Sequence, residues 1–218
     1  MATSARYNTL VARTTQLEGH LLPAINLTGS YTPQDQDMIR SYCLLCHAEI
    51  EAYLEDYTTE IIDRAYNKWN ANKAMISPII FHLAFSYNGK KDLPYSMVAK
   101  SYNNLKDVIK SNNGVKENSL INFFRPIGFD VDPLLKTTLN NFGKNRGDIA
   151  HQSFQTQTPL DPATEKANVV LILNGLATLD EELNNYEITG AVSRVPTFLT
   201  WDKFSLIERL KILFTGRC

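Results

Sequence analysis

Apolar residues recur at three- and four-residue steps along most of the chain, which is the pattern of amphipathic helices. The longest stripe follows Thr32 and predicts a helix of about 35 residues that ends near Trp69. Its members are Ile39, Cys43, Cys46, Ile50, Tyr53, Tyr57, Ile61 and Ala65. Other stripes predict helices near residues 4–22, 95–111, 116–124, 133–151, 162–183 and 201–214, with a short apolar segment at 77–87. No sustained period-2 alternation and no β–α–β rhythm interrupts them, so the expected fold class is all-α, a helical bundle.

Three dipeptides predict where helices begin. They are Thr32-Pro33, Asp132-Pro133 and Asp161-Pro162. In each pair a side-chain oxygen can cap the helix, and proline occupies the first helical position, where its missing N–H has no consequence. We expect one helical domain over residues 1–186, followed by a linker and a C-terminal helical appendage over 187–218.

The composition is that of an ordinary globular protein, with 218 residues, 44% of them apolar and 21% charged. The formal net charge is −1, so a phosphate-binding site must be a local patch of positive charge. The first 20 residues lack the apolar core of a signal peptide, and no window approaches the roughly 18 apolar residues of a membrane span. We therefore expect a cytoplasmic location and no membrane contact.

Cys43, Cys46 and His47 form the pattern C-x-x-C-H, which attaches haem in c-type cytochromes. That chemistry normally requires export. Both cysteines also lie on the apolar stripe of the long helix, which favours buried small hydrophobic residues. We expect no cofactor, and a visible absorption band of the purified protein would contradict this.

The stretch from Lys144 to His151, KNRGDIAH, contains several poor helix formers although it stands at the end of a helical pattern. Gly147 costs about 1 kcal/mol relative to alanine in a helix interior, and Asp148 and His151 are mediocre helix formers. Poor helix formers inside a helix are a local inconsistency of the kind that indicates a functional site. The side chains of Arg146 and His151 are separated by about 500° of helical turn, so they point roughly 140° apart. Because Gly147 has no side chain, a phosphate can approach the backbone closely at this position.

These residues suit the cleavage of RNA by its own 2′-hydroxyl group. A histidine near neutral pKa accepts and donates protons, and a guanidinium binds phosphate through two N–H groups. Lys144 adds positive charge and Asn145 offers hydrogen bonds, and no metal is required. The structural alternative is that Lys144, Arg146 and His151 have no catalytic role and only interact favourably with the negative end of the helix dipole.

Three segments carry a family resemblance: HAEIEAYLEDY from His47, FFRPIGFDVD from Phe123, and NRGDIAHQ from Asn145. Together they resemble the RiboL-PSP-HEPN group of the HEPN superfamily, whose Arg-x4–6-His motif ends a helix, over about residues 5–186. The resemblance implies an all-α domain that forms a homodimer and cuts RNA without metal. It assigns phosphate binding to Arg146 and acid–base catalysis to His151, with the two pairs facing each other across the dimer axis.

The resemblance also bears on the neighbours of this motif. Glu51 matches a glutamate of the family, and we expect it to orient Arg146 or His151, with a plain salt bridge as the alternative. Many members have a polar residue directly after the arginine. Here Gly147 stands in that position, with Asn145 before the arginine and Asp148 after the glycine.

Two functions follow from the resemblance. The first is an endoribonuclease that acts as a toxin or antiviral-defence effector, with RNA as substrate and an antitoxin or defence-system protein as partner. The alternative is a non-catalytic module that binds nucleotides or RNA or serves as a scaffold. Growth arrest on expression that His151→Ala relieves would favour the enzyme.

Overall fold

The computed structural model describes residues 3–26, 28–71, 77–86, 97–151 and 158–189. They form seven α-helices, and one 3₁₀ helix, Arg125–Ile127, follows the fifth. The α-helices are α1 (Ala5–Leu21), α2 (Pro33–Ala71), α3 (Pro78–Ser86), α4 (Val98–Lys110), α5 (Glu117–Phe124), α6 (Pro133–His151) and α7 (Pro162–Thr189). The described part contains no strand, so the predicted all-α class is confirmed. None of its helices combines the length and apolar character that a membrane span requires.

The three predicted helix starts are confirmed, because α2, α6 and α7 each begin at the expected proline. At α2, Thr32 Oγ1 accepts from the Asp35 N–H at 3.1 Å and Asp35 Oδ2 accepts from the Thr32 N–H at 2.9 Å, which is a reciprocal capping box. Asp132 Oδ1 accepts from the backbone N–H groups two and three residues later. Asp161 Oδ2 accepts from the N–H three residues later. Each cap satisfies N–H groups that lack a partner within the helix.

At its C-terminal end α7 extends to Thr189, three residues beyond the predicted domain boundary at 186. The rest of the predicted linker and helical appendage lies outside the described residues, so the boundary stays a prediction.

The chain divides into two compact units. Unit 1 comprises Met1–Leu54, Asn113–Leu120 and Val131–Glu181. It contains α1, the first part of α2, α6 and most of α7. Unit 2 comprises Glu55–Asn112, Ile121–Asp130 and Glu182–Cys218, and it contains the rest of α2 with α3, α4 and the 3₁₀ helix. The KNRGDIAH segment lies in unit 1.

A buried carboxylate joins three helices of unit 1. Asp180 of α7 is 1% exposed and accepts from the N–H and the hydroxyl of Ser4, both at 2.6 Å, and from the Tyr53 hydroxyl at 2.8 Å. Burying a charge is unfavourable unless hydrogen bonds replace its water. Tyr53 is therefore a core residue whose hydroxyl has a structural partner.

The cysteines of the C-x-x-C-H pattern are core residues. Cys43 and Cys46 are 2% and 0% exposed. Burial raises the pKa of both thiols, that of Cys46 to about 12, so neither is a thiolate at neutral pH. Cys43 Sγ donates to Glu165 Oε2 at 3.5 Å. These observations confirm the interpretation of both residues as small buried hydrophobes.

In unit 2, Gly128 lies against the ring of the buried His82 of α3. Gly128 caps the 3₁₀ helix with φ of +75°, a left-handed conformation that favours glycine. A Cβ atom at this position would overlap the His82 ring. The glycine of the FFRPIGFDVD segment is thus required by both its backbone conformation and its contact.

Candidate active site

The candidate residues occupy the last two turns of α6. The buried stripe of this helix consists of Leu135, Leu139, Phe142 and Gly143. Arg146 follows Phe142 by about one turn and is half-buried, whereas His151, the last residue of the helix, is exposed. Both side chains are thus at the surface to some degree, and neither is enclosed in the core.

Arg146 and His151 do not lie on one face of α6. Because α6 is helical from Pro133 through His151, the predicted separation of about 140° holds between their directions, with a rise of about 7.5 Å. Arg146 continues the buried stripe, and His151 points away from it. Within one copy of the chain, the two side chains therefore leave the helix end in different directions.

His47 of α2 packs against α6 next to the candidate residues. The imidazole is 2% exposed and stacks on Phe142, with ring centroids 5.7 Å apart and an interplanar angle of 26°. Burial, together with the positive charges of Arg146 and Lys116, lowers the pKa of His47 to about 4. His47 is therefore a neutral imidazole that senses the charge of Arg146.

Glu51 reaches this site through His47. Its Oε2 atom lies 3.6 Å from His47 Nδ1, and its side chain is 18% exposed. The expectation that Glu51 orients Arg146 or His151 stays a prediction, since the described contact is with His47. His47 itself was missed as a site neighbour, although its i,i+4 spacing from Glu51 places both on one side of α2.

Lys116 and Lys144 add positive charge beside Arg146, and Glu51 and Asp148 add negative charge. Lys116 and Lys144 are exposed, and Asp148 is the exposed carboxylate of the motif. Among the described residues, no carboxylate lies within ion-pair distance of Arg146, Lys116 or Lys144. Cations without a carboxylate partner are available to bind an anion, even on a chain with a net charge of −1.

Two glycines flank Arg146 on α6 and differ in what surrounds them. A Cβ at Gly143 would stand 2.9 Å from Lys116 Cγ, so the missing side chain makes room for the lysine stem. A Cβ at Gly147 would meet nothing within 4 Å among the residues that the structure describes. Packing therefore explains Gly143 but not Gly147. Asn145, half-buried, lines a groove on the opposite side of the helix from Gly147.

The lowered pKa of His47 predicts a pH dependence of stability. Between about pH 6.5 and pH 4 the unfolded chain binds a proton at His47 that the folded chain does not, so the free energy of unfolding falls as pH falls through this window. Replacement by glutamine, His47→Gln, should make this slope shallower by up to roughly 1.4 kcal/mol per pH unit. Urea denaturation at several pH values measures it.

The matched control is His20→Gln, which changes an exposed histidine on α1. An unchanged slope in His47→Gln would show that His47 does not hold its neutral form in the folded protein.

Comparison with known proteins identifies the family to which the chain belongs. The sequence model of the RiboL-PSP-HEPN family matches residues 9–185, which is most of the chain and includes all of α2, α6 and the candidate site. The comparison with curated proteins found no match. The search of solved structures found none either. The match over residues 9–185 shows that the chain belongs to the RiboL-PSP-HEPN family.

Proposed function

We propose that this protein is an endoribonuclease that cuts RNA without a metal ion, using Arg146 and His151. One observation carries the proposal: a half-buried guanidinium without a carboxylate partner among the described residues shares a helix end with an exposed imidazole. An arginine that is held in place but not neutralised is suited to binding an anion. Family membership makes RNA the expected anion, since the Arg-x4-His motif is retained at these two positions.

The reaction proceeds by transesterification within the RNA. The 2′-oxygen attacks the adjacent phosphorus while one imidazole accepts the hydroxyl proton. The bond from phosphorus to the 5′-oxygen breaks, and a second imidazole donates the proton that this leaving oxygen needs. The guanidinium of Arg146 binds the non-bridging oxygens and stabilises the charge that develops on them. The products carry a 2′,3′-cyclic phosphate and a 5′-hydroxyl group.

A homodimer supplies what one copy lacks. The reaction uses an acid and a base, and the motif of one copy contains a single histidine, His151. Helix geometry also separates Arg146 from His151 by about 140° within a copy. Two copies related by a two-fold axis bring two histidines and two arginines to one phosphate. Gly147, whose missing side chain no packing contact explains, lets the RNA backbone approach the helix closely.

The cellular role that fits this chemistry is that of a toxin or antiviral-defence effector in the cytoplasm. An enzyme that cuts RNA through two side chains and no cofactor is active as soon as it has folded and dimerised. The cell that makes it therefore needs a way to inhibit it. We therefore expect an antitoxin or a defence-system partner. Expression of the intact chain should arrest growth, and expression of His151→Ala should not.

The chemistry of the product ends tests the proposal. Purified protein incubated with RNA in EDTA should produce fragments with 2′,3′-cyclic phosphate and 5′-hydroxyl ends, mapped by sequencing of the cleavage ends. The control His20→Ala replaces an exposed histidine away from α6 and should cut normally. RNA bound but left intact would identify the non-catalytic binding module instead, and cleavage abolished by EDTA would contradict the metal-free mechanism.

A further inference from the structure

A groove of about 320 Å³ runs between α6 and α7 in unit 1, beside the candidate active site. Three carboxamides line it, those of Asn141 and Asn145 on α6 and Asn168 on α7. Asn145 is the residue directly before Arg146, so the groove begins next to the proposed phosphate site. Its volume lies at the lower end of the range for small-ligand pockets, roughly 300–1,000 Å³.

The polar groups of the groove are neutral and largely available. None of the described residues that line it is charged. The carboxamides of Asn141 and Asn145 make no hydrogen bond to other described residues. Asn168 Nδ2 donates to Glu165 Oε2 at a long 3.5 Å, which leaves its oxygen and second N–H available. Amides both donate and accept hydrogen bonds, so a groove whose described lining is neutral suits a neutral heterocycle better than a phosphate.

The rest of the lining is apolar. Ile172 and Phe142 are 0% and 6% exposed and form the floor. Leu171 is 49% exposed on the rim, although a leucine on this helix would bury more area by facing the core. Apolar walls with a few fixed polar groups are the usual construction of a site that holds a flat, partly polar molecule.

We propose that this groove binds one unpaired adenine base of the RNA, next to the phosphate that Arg146 holds. A carboxamide pairs with adenine through two hydrogen bonds, one donated and one accepted, whereas guanine is usually recognised by arginine or lysine. The described lining of the groove contains no such cation. Unpaired bases of RNA are recognised in this way, by hydrogen bonds to their edges and by contact with their faces. The inference rests on the proposed function for its substrate class and adds a base preference to it.

Equilibrium binding tests the groove without depending on cleavage. The probes are short fluorescent oligoadenylate, oligouridylate and oligocytidylate, titrated with the full chain carrying His151→Ala in EDTA. Oligoadenylate should bind most tightly. The additional double substitution Asn141→Ala with Asn145→Ala should weaken oligoadenylate binding by roughly tenfold and leave the other two probes almost unchanged.

The matched control is Asn174→Ala, which removes an exposed carboxamide of α7 that does not line the groove. It should leave all three affinities unchanged. Equal affinity for the three probes, or an equal loss for all three in the double variant, would overturn the adenine site. A shift of the double variant from dimer to monomer in sedimentation would overturn it as well, because the groove would then be part of a protein interface.

The two proposals fail separately. If the unmodified chain cuts RNA but the cut sites show no adjacent adenine and the double variant binds normally, the groove assignment is wrong and the nuclease stands. If oligoadenylate binds through Asn141 and Asn145 but RNA stays intact, the groove stands and the nuclease assignment is wrong.

Discussion

His151→Ala should reduce the rate of RNA cleavage by roughly 10²–10⁴-fold, which is the usual contribution of a positioned acid–base group. The loss follows because the neighbouring imidazole cannot replace that of His151: His47 is buried and its pKa is lowered to about 4. Arg146→Ala should cost roughly 10²–10³-fold, since the charge on the non-bridging oxygens then lacks its donor. Single-turnover cleavage of a labelled RNA measures both.

Conservative and distant replacements separate catalysis from folding. Arg146→Lys keeps the charge but loses the two-pronged geometry, so it should retain part of the activity. His20→Ala should retain all of it. Because Arg146 is half-buried and His151 is exposed, neither alanine variant should unfold the protein. Normal cleavage by both alanine variants would remove these residues from the mechanism.

Gly128→Ala should lower the free energy of unfolding by about 3 kcal/mol or more. Two penalties combine. The φ of +75° is unfavourable for a residue with a side chain, and the new Cβ would overlap the ring of His82, which is 1% exposed and has no room to retreat. Chemical denaturation followed by circular dichroism measures the change.

Gly19→Ala is the control for glycine replacement in general. Gly19 lies inside α1, and a Cβ there would meet nothing within 4 Å. Helix propensity predicts a gain of up to about 1 kcal/mol. A Gly128→Ala protein as stable as the parent would show that the contact between Gly128 and His82 is not tight.

The positions of the helices were predictable because the signals that determine them are local. Thr32, Asp132 and Asp161 cap the helix that begins at the next residue, and the prediction needs only a short window of sequence. The long stripe of α2 was predictable for the same reason, since an apolar face of a single helix repeats at a fixed period. Its end was placed near Trp69 and lies at Ala71.

The surroundings of the candidate site were not predictable from the same patterns. His47 contacts Phe142 across 95 positions of sequence, and Lys116 reaches α6 only because Gly143 lacks a side chain. Such contacts depend on how helices pack, which periodicity does not specify. The groove that Asn168 and Asn145 share was missed for this reason. The motif containing Arg146 and His151 stays a candidate: it drew attention because it uses poor helix formers, and the family resemblance supplied its expected role.

Pairing the parent chain with one inactive variant is the most direct test of the claim that two copies of the chain share one site. One copy is the parent, and the other carries His151→Ala. Mixed dimers, purified through a different tag on each copy, contain two intact arginines but a single intact histidine. Because the proposed reaction takes its base and its acid from two copies, we expect these mixed dimers to cut RNA as slowly as the His151→Ala variant alone. Mixed dimers that cut RNA at a rate close to that of the parent would contradict the account, because one copy would then hold a complete site.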